Sequence, residues 1–525
     1  MKRKIVFVDP IRSSDLRSID PHPYGCLPGG NVLLVGSSRR QIPLTDELWQ
    51  QILGFLDGFS LGNVIRTCLE FYVAGHEPEL WRDLVLRSME SETIQDVTSK
   101  YWKDRFVRRN TSDKTFSHKP IPIPGIYSDY FYRTHLCRSF AIPEQWLTVD
   151  GGSIERINNI STEEFLKYES MNKPVVLAGA CRSWKAMERW NSHEYLDQKS
   201  LGRCFRATSG AAPLPINFTL KSYVHYCSTV LEEAPLYLFD RSALLEGSPL
   251  QDDYSPDLQA QCPYIDPSRI SENGHDLFQL LGEGARPDHT WLIVGPQRSG
   301  SSFHIDPNCT HAWNAAICGR KRWIFYPPGV TPPGVHPSED GDQVIMPISL
   351  GEWLQNYWDE HLERYNDSVI ENRPFECTVE AGDLIFVPHG WWHAVVNLDP
   401  INVAVTHNYV SRSNLSDVLR FLSTKIDHIS GCRDRKESIK PEDLHGAFVD
   451  KLREHFPQWL EEAEKKAKEG WTCAAWKDQV TNESKDVKQY LLHRKKRKSK
   501  CSIMSKLKSS AEASSHTFAF SFGIE

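Results

Sequence analysis

Apolar and polar positions recur with different periods in different parts of the chain, and the changes of period divide it. Across Leu44–Leu56, apolar residues at 48, 49, 52, 53, 55 and 56 follow helical spacing behind an N-cap signal at Thr45 or Asp46. Shorter helical patterns follow through Val64, Ile65, Leu69, Phe71 and Tyr72, then through Leu80, Trp81, Leu84 and Val85. They predict a small all-helical unit ending near Arg87. A helical, aromatic stretch containing Tyr101, Trp102, Phe106, Tyr130, Phe131 and Tyr132 leads on to about Pro143. Ile160–Leu166 then reads as a capped helix start and Pro174–Gly179 as a short buried strand. From Trp291 to Val410, β-rich runs alternate with Gly/Pro turns: Trp291–Val294, Lys321–Tyr326, Leu384–Val387, His393–Asn397 and Asn402–Tyr409. Strands this close together argue for a sandwich or barrel. Leu350–Arg364, Asn414–Ile426 and Lys440–Lys468 read as helical, and no internal repeat is present. The expected organisation is a partly disordered leader at 1–40 with a short strand at Asn31–Val35, a helical unit at 41–90 and a helical linker at 91–142. A β-rich domain at 143–425, C-terminal helices at 426–480 and a disordered basic tail at 481–525 complete it.

Composition narrows the class. Hydrophobic residues make up 40% and aromatic residues 11%, with 16 Trp, which suits a packed protein better than a disordered one. No stretch approaches the roughly 20 apolar residues of a membrane span. The first residues carry too short an apolar run for a secretory signal, so no membrane partner is expected. Thirteen cysteines without a C-x-x-C pair read as reduced thiols, not a disulfide frame or zinc cage. The net charge of −7 gives no overall nucleic-acid signal, but His493–Lys500 is a dense basic run. It reads either as a nuclear-import or nucleic-acid patch or as a solvated tail, with nuclear import favoured.

One segment carries chemistry. In Gly295–Asp306, His304 and Asp306 are two residues apart, and alternate strand residues point to the same face. An imidazole and a carboxylate can therefore reach one metal from a single strand end. His393, at the start of another run, can supply the third ligand, and two His with one carboxylate make the facial triad of non-haem Fe(II) oxygenases. His389 competes with His393; the latter is preferred because it begins the strand while His389 sits in the turn. Among 20 histidines a His-x-Asp tripeptide carries little weight alone. The similar His361-Leu-Glu363 lies in a helical stretch, where such residues diverge, and is read as a solvated face.

The stretch FHIDPNCTHAWNAAICGRKRWIFY at 303–326 resembles the metal-binding and co-substrate strands of JmjC oxygenases. Together with GPQRSGSSFHID, PLYLFD at 235–240, VPHGWWHAVVNLD at 387–399 and TEEFLKYE at 162–169, it is most similar to the branch once called the phosphatidylserine receptor, described as lysyl hydroxylases and arginine demethylases. The resemblance covers roughly residues 130–425. It implies a mixed α and β fold, a double-stranded β-helix (a cupin-like barrel) with flanking helices, and Fe(II), 2-oxoglutarate and O₂ as reactants. It implies that His304, Asp306 and His393 hold iron and that Lys321 pairs with the distal carboxylate of 2-oxoglutarate, with Asn314, Tyr237, Thr406 and Ser301 hydrogen-bonding around it. Without the resemblance, Lys321 would read as a surface lysine between Arg320 and Arg322. The segment after His393 is one residue longer than the pattern, with Asp399-Pro400 at its turn, which leaves Asn408 and Tyr409 as alternatives to Thr406. His389 replaces a small residue of the pattern.

The implied activity is hydroxylation of protein side chains, on lysine or on an N-methyl group of arginine or lysine in histones or RNA-processing proteins, in the nucleus and secondarily the cytoplasm. IPLTDELWQQILGFLDGFSLGNVIRTC with LWRDLVL resembles an F-box, which implies a Skp-type adaptor of a cullin–RING ubiquitin ligase as partner. The other reading of those helices is a cap packed on the oxygenase. The alternative function is a ligase substrate receptor whose barrel only binds. The C-terminal helices are a candidate dimer contact.

Overall fold

The computed structural model describes residues 20–35, 44–87, 101–148, 152–208, 216–230, 232–244, 248–254, 276–338, 344–366, 372–432 and 439–470. The basic run at 493–500 lies outside them. The first helix of the N-terminal unit is Asp46–Leu53, with the Thr45 hydroxyl accepting from the Leu48 amide at 3.3 Å. The strand expected at Asn31–Val35 is instead a helical turn, Val32–Val35. The cause is local: the Asp46 carboxylate accepts from the Val32 and Leu33 amides at 3.0 and 2.7 Å, satisfying donors that a helix start leaves open. Three further short helices end the unit at Pro78–Arg87.

The strands are β1 (Arg156–Asn158), β2 (Val175–Ala178), β3 (Cys204–Thr208), β4 (Ile216–Thr219), β5 (Tyr237–Asp240), β6 (Thr290–Gly295), β7 (Gly300–His304) and β8 (His311–Cys318). Then come β9 (Lys321–Tyr326), β10 (His336–Pro337), β11 (Val344–Ile345), β12 (Phe375–Val379), β13 (Leu384–Val387), β14 (Trp392–Asn397) and β15 (Asn402–Tyr409). Nine form a large sheet in the order β1-β2-β13-β8-β15-β6-β5-β3-β4, and four form a small one in the order β12-β9-β14-β7. Their pairings are antiparallel apart from β1 with β2. This is the cupin-like barrel that the strand spacing and the resemblance predicted.

Both sheets are covered on both faces, which is why β6, β8, β9, β14 and β15 are buried almost throughout, on both sides of the strand. Their facing surfaces meet over Trp323, Phe325, Val395, Ala312, Ala316 and Ile385. Behind the large sheet, Leu53, Leu61, Trp81 and Trp102 of the N-terminal helices share one core with Val175, Leu177, Trp313 and Val405. Behind the small sheet, Phe303, Tyr326 and Trp392 pack on Trp353 and Trp358 of the helix Leu350–Arg364.

Two expectations need correction. His361 is not on a solvated face: it is fully buried, and its ring meets the Tyr326 hydroxyl at 2.5 Å and the Glu376 carboxylate at 2.9 Å. Only Glu363 of that pair is exposed. The stretch 440–468 is two helices, Pro441–His455 and Pro457–Glu469, because a proline cannot donate to the preceding turn. They pack Leu444, Phe448, Leu452 and Leu460 against Leu415, Val418 and Leu422 of the helix Leu415–Thr424. No cysteine among the described residues is in a disulfide.

Candidate metal centre and co-substrate pocket

His304 ends β7 and lies across from His393 of β14, with ring centroids 4.1 Å apart. Asp306 follows His304 at the strand end. The potential ligand atoms of the three all lie within 4.8 Å of one another. His304 Nδ1 donates to the Ser302 carbonyl at 2.8 Å and His393 Nδ1 to the Trp391 carbonyl at 3.1 Å. A carbonyl can only accept, so each ring carries its proton on Nδ1 and offers a bare Nε2 to the cluster.

Burial, helped for His304 by its neighbour His393, holds both imidazoles down to about 4, so both are neutral at neutral pH. Burial also lifts the Asp306 carboxyl to about 6, and its Oδ2 is a buried oxygen without a hydrogen-bond partner. A buried carboxylate oxygen with no donor beside two neutral imidazoles fits a divalent cation. His389 is not part of this group. Its Nε2 donates to Asp417 at 2.9 Å, and His311, which borders it, belongs to the outer face of the large sheet.

Strand register brings the other predicted residues to the same interior. Lys321 pairs with Asn397, Trp323 with Val395 and Phe325 with His393, so Lys321 shares the inward face with His393. It is fully buried (1% exposed), not a surface lysine, and its Nζ donates to the Tyr237 hydroxyl at 3.0 Å. Burial alone brings its ammonium down to about 7. Thr406 lies across from Asn314, and Asn314 Oδ1 is a second buried oxygen without a partner. Thr406 itself donates to the Trp313 carbonyl at 2.9 Å.

Of the alternatives to Thr406, Tyr409 faces the other side of β15 and donates to Glu169 at 2.9 Å. Asn408 shares Thr406's face and hydrogen-bonds Asp306, so it lies at the metal end of the cavity. Ser301 should face away from His304 by simple alternation. The pairing of β7 with β14 slips between His393 and Val395, so Ser301 lies across from the inward Val395. Gly300 serves the same slip, since a Cβ there would stand 2.0 Å from the Val395 carbonyl oxygen.

Two residues of this cavity escaped the sequence reading. Asn397 is buried beside Lys321, hydrogen-bonds Tyr237, and donates to Ser299 Oγ at 2.8 Å. Its position in alternation with His393 and Val395 along the same strand was the available signal. Trp291, across from Thr406, contributes the aromatic wall next to Tyr237 and Phe239. Nothing in its local sequence distinguishes it from a core tryptophan.

A cupin-like barrel with two neutral imidazoles, an under-bonded carboxylate and a buried lysine inside it defines the class of metal-dependent oxygenases that use an acidic co-substrate. Comparison with known proteins agrees. Residues 239–414 match the cupin-like domain family. The chain is 40% identical to the arginine-specific demethylase JMJ22 of Arabidopsis thaliana over 84% of its own length and 81% of that protein's. It is 33% identical to the bifunctional arginine demethylase and lysyl-hydroxylase psr-1 of Caenorhabditis elegans, over 50% of this chain and 62% of that one. With the 2-oxoglutarate and iron-dependent oxygenase JMJD4 of Homo sapiens it shares 34% identity over 28% of this chain and 34% of the relative. The chain belongs to the JmjC family of iron- and 2-oxoglutarate-dependent oxygenases.

Proposed function

We propose that this oxygenase acts on basic side chains of proteins, hydroxylating lysine or removing N-methyl groups from arginine or lysine by way of an unstable hydroxymethyl. His304, Asp306 and His393 would hold the iron, and bound iron with 2-oxoglutarate would supply O₂ activation, releasing succinate and CO₂. The observation that carries the reading is Lys321. A lysine buried inside a barrel and held by one hydroxyl needs an anion, and a dicarboxylate tail supplies one. Tyr237 orients that ammonium, while Asn314, Thr406 and Ser301 offer further hydrogen bonds. Trp323 and Phe325 stack on His393 at 5.9 and 5.7 Å and keep water from that side of the centre. The relatives' names, which include arginine demethylases and a lysyl hydroxylase, supply the substrate class.

Succinate formation from 2-oxoglutarate with Fe(II), O₂ and lysine- and arginine-rich peptides tests this, with His304→Ala as control. Peptides one oxygen heavier establish a hydroxylase and peptides one methyl lighter a demethylase. Loss of succinate in wild type as well as in His304→Ala, under every substrate, would sink the enzyme reading in favour of a receptor whose barrel only binds.

A partner on the N-terminal helices has its own support. Phe55 is 86% and Phe59 81% exposed, beside the partly exposed Leu48 and Ile52, while Leu53 and Leu61 go to the core. Some of the apolar positions are thus core and the rest face outward. The outward set fits a Skp-type adaptor, and Phe55→Ser with Phe59→Ser should abolish adaptor capture while leaving succinate formation unchanged. The basic run at 493–500 suits nuclear import, tested by whether a fluorescent fusion leaves the nucleus when it is neutralised.

A further inference from the structure

A polar cavity lies on the opposite face of the large sheet from the metal centre, between the end of the helix Thr162–Ser170 and the C-terminal helices. Its volume is about 210 Å³. At its centre is a buried carboxylate. Glu169 is 3% exposed, and hydroxyl donors alone meet its carboxylate: Tyr409 at 2.9 Å, with Ser411 and Ser413. No lysine or arginine among the described residues pairs with it. Burial accordingly raises its carboxyl to about 7. A buried carboxylate is ordinarily matched by a cation, and this one is not.

Two neighbours in the same cavity each carry a buried polar atom without a hydrogen-bond partner. Asn172 sits at φ 51 just past the helix, and its Nδ2 donates to the His389 carbonyl at 3.1 Å. That bond fixes the amide's orientation and leaves Oδ1 buried with no donor. His389, 3% exposed, donates Nε2–H to Asp417, and its Nδ1 is buried without a hydrogen-bond partner. The ring of Trp459, stacked on Phe456 at 4.6 Å, forms one wall. At the mouth Arg412 pairs with Glu462 at 2.7 Å and lies over the Trp459 ring at 5.3 Å, and Lys466 is exposed. His389, the residue that departs from the family pattern, therefore belongs to this cavity and not to the metal centre.

We propose that this cavity is a second binding site, for a guanidinium or primary ammonium group. Two buried acceptors, the Asn172 amide oxygen without a donor and the Glu169 carboxylate without a counter-charge, line a space whose cationic residues, Arg412 and Lys466, stand at its mouth. That combination matches a planar or tetrahedral cation with several N–H donors. The group belongs either to a free alkyl cation or to a lysine or arginine side chain of a polypeptide. The inference does not depend on the reaction at the metal centre.

The test is a calorimetric titration of the full metal-free chain with n-butylguanidinium and with a short arginine-containing peptide. One-to-one saturable binding is expected, weakened at least tenfold by Glu169→Gln and unchanged by His304→Ala. Lys466→Glu, on an exposed helical turn where folding is not at stake, should tighten it severalfold by removing a repelling charge. Equal affinity for both probes assigns a free cation, and tighter peptide binding assigns a polypeptide; either supports the site. The proposal is overturned if neither probe saturates, if orthophosphate binds there and is lost in Lys466→Glu, or if guanidinium binding survives Glu169→Gln and disappears in His304→Ala.

Discussion

Lys321 carries the most consequence at the scale of single residues. Burial lowers its pKa from the usual lysine value to about 7, so between about 7 and the ordinary lysine range the unfolded chain holds this proton and the folded one does not. Stability from this group therefore rises with pH through that window. Binding of a dicarboxylate reverses the preference and draws a proton onto the lysine. At pH 8, calorimetry in buffers of different ionisation enthalpy should show proton uptake when 2-oxoglutarate binds. Lys321→Met should abolish the uptake and weaken binding by a hundredfold or more, about 3 kcal/mol. Binding without proton uptake would mean that the lysine is already charged. The resemblance of the local motifs singled out Lys321, but the burial that makes it informative was not legible. Flanked by two arginines, it reads as surface by composition alone.

At the scale of elements, the small sheet is fastened to its covering helix by charge as well as by aromatic packing. Arg322 of β9 donates to Glu376 of β12 at 3.1 and 2.6 Å, and Glu376 also binds His361 and Tyr365. The guanidinium and the hydrogen bonds hold the Glu376 carboxyl well below the usual range despite burial. Glu376→Ala would leave Arg322 buried without its partner and should cost about 3–5 kcal/mol in urea unfolding. A cost under about 1 kcal/mol would show that water replaces the carboxylate. Because the pair anchors β9, the same change should weaken 2-oxoglutarate binding through Lys321. The run 321–326 was readable as a strand. Its tie to the helix through His361 was not, since it depends on a contact between positions 15 residues apart on different elements.

For the whole molecule, the shared core behind the large sheet means that the N-terminal helices are part of the barrel's support as well as a candidate docking surface. A chain lacking residues 1–87 would expose the apolar residues against which Leu53, Leu61 and Trp81 pack. Its melting temperature should fall by about 10 °C or more, at roughly 2–4 °C per kcal/mol for a protein above 150 residues. Unchanged stability, with full succinate formation, would show that the helices are an independent module.

Periodicity and short motifs sufficed for β2, β6, β9, β13, β14 and β15, the covering helix and the three clustered residues His304, Asp306 and His393, because alternation along a strand and spacing along a helix are local properties of the chain. The turn at Val32–Val35 depends on Asp46, and the inward direction of Ser301 depends on a slip between two strands. The company of Asn397 with Lys321 is a matter of register, and the separation of His389 from His393 one of which face of a sheet each reaches. These were decided only by the tertiary structure. Each is set by which distant segment lies alongside and how it desolvates the group in question, and no window of sequence contains that neighbour.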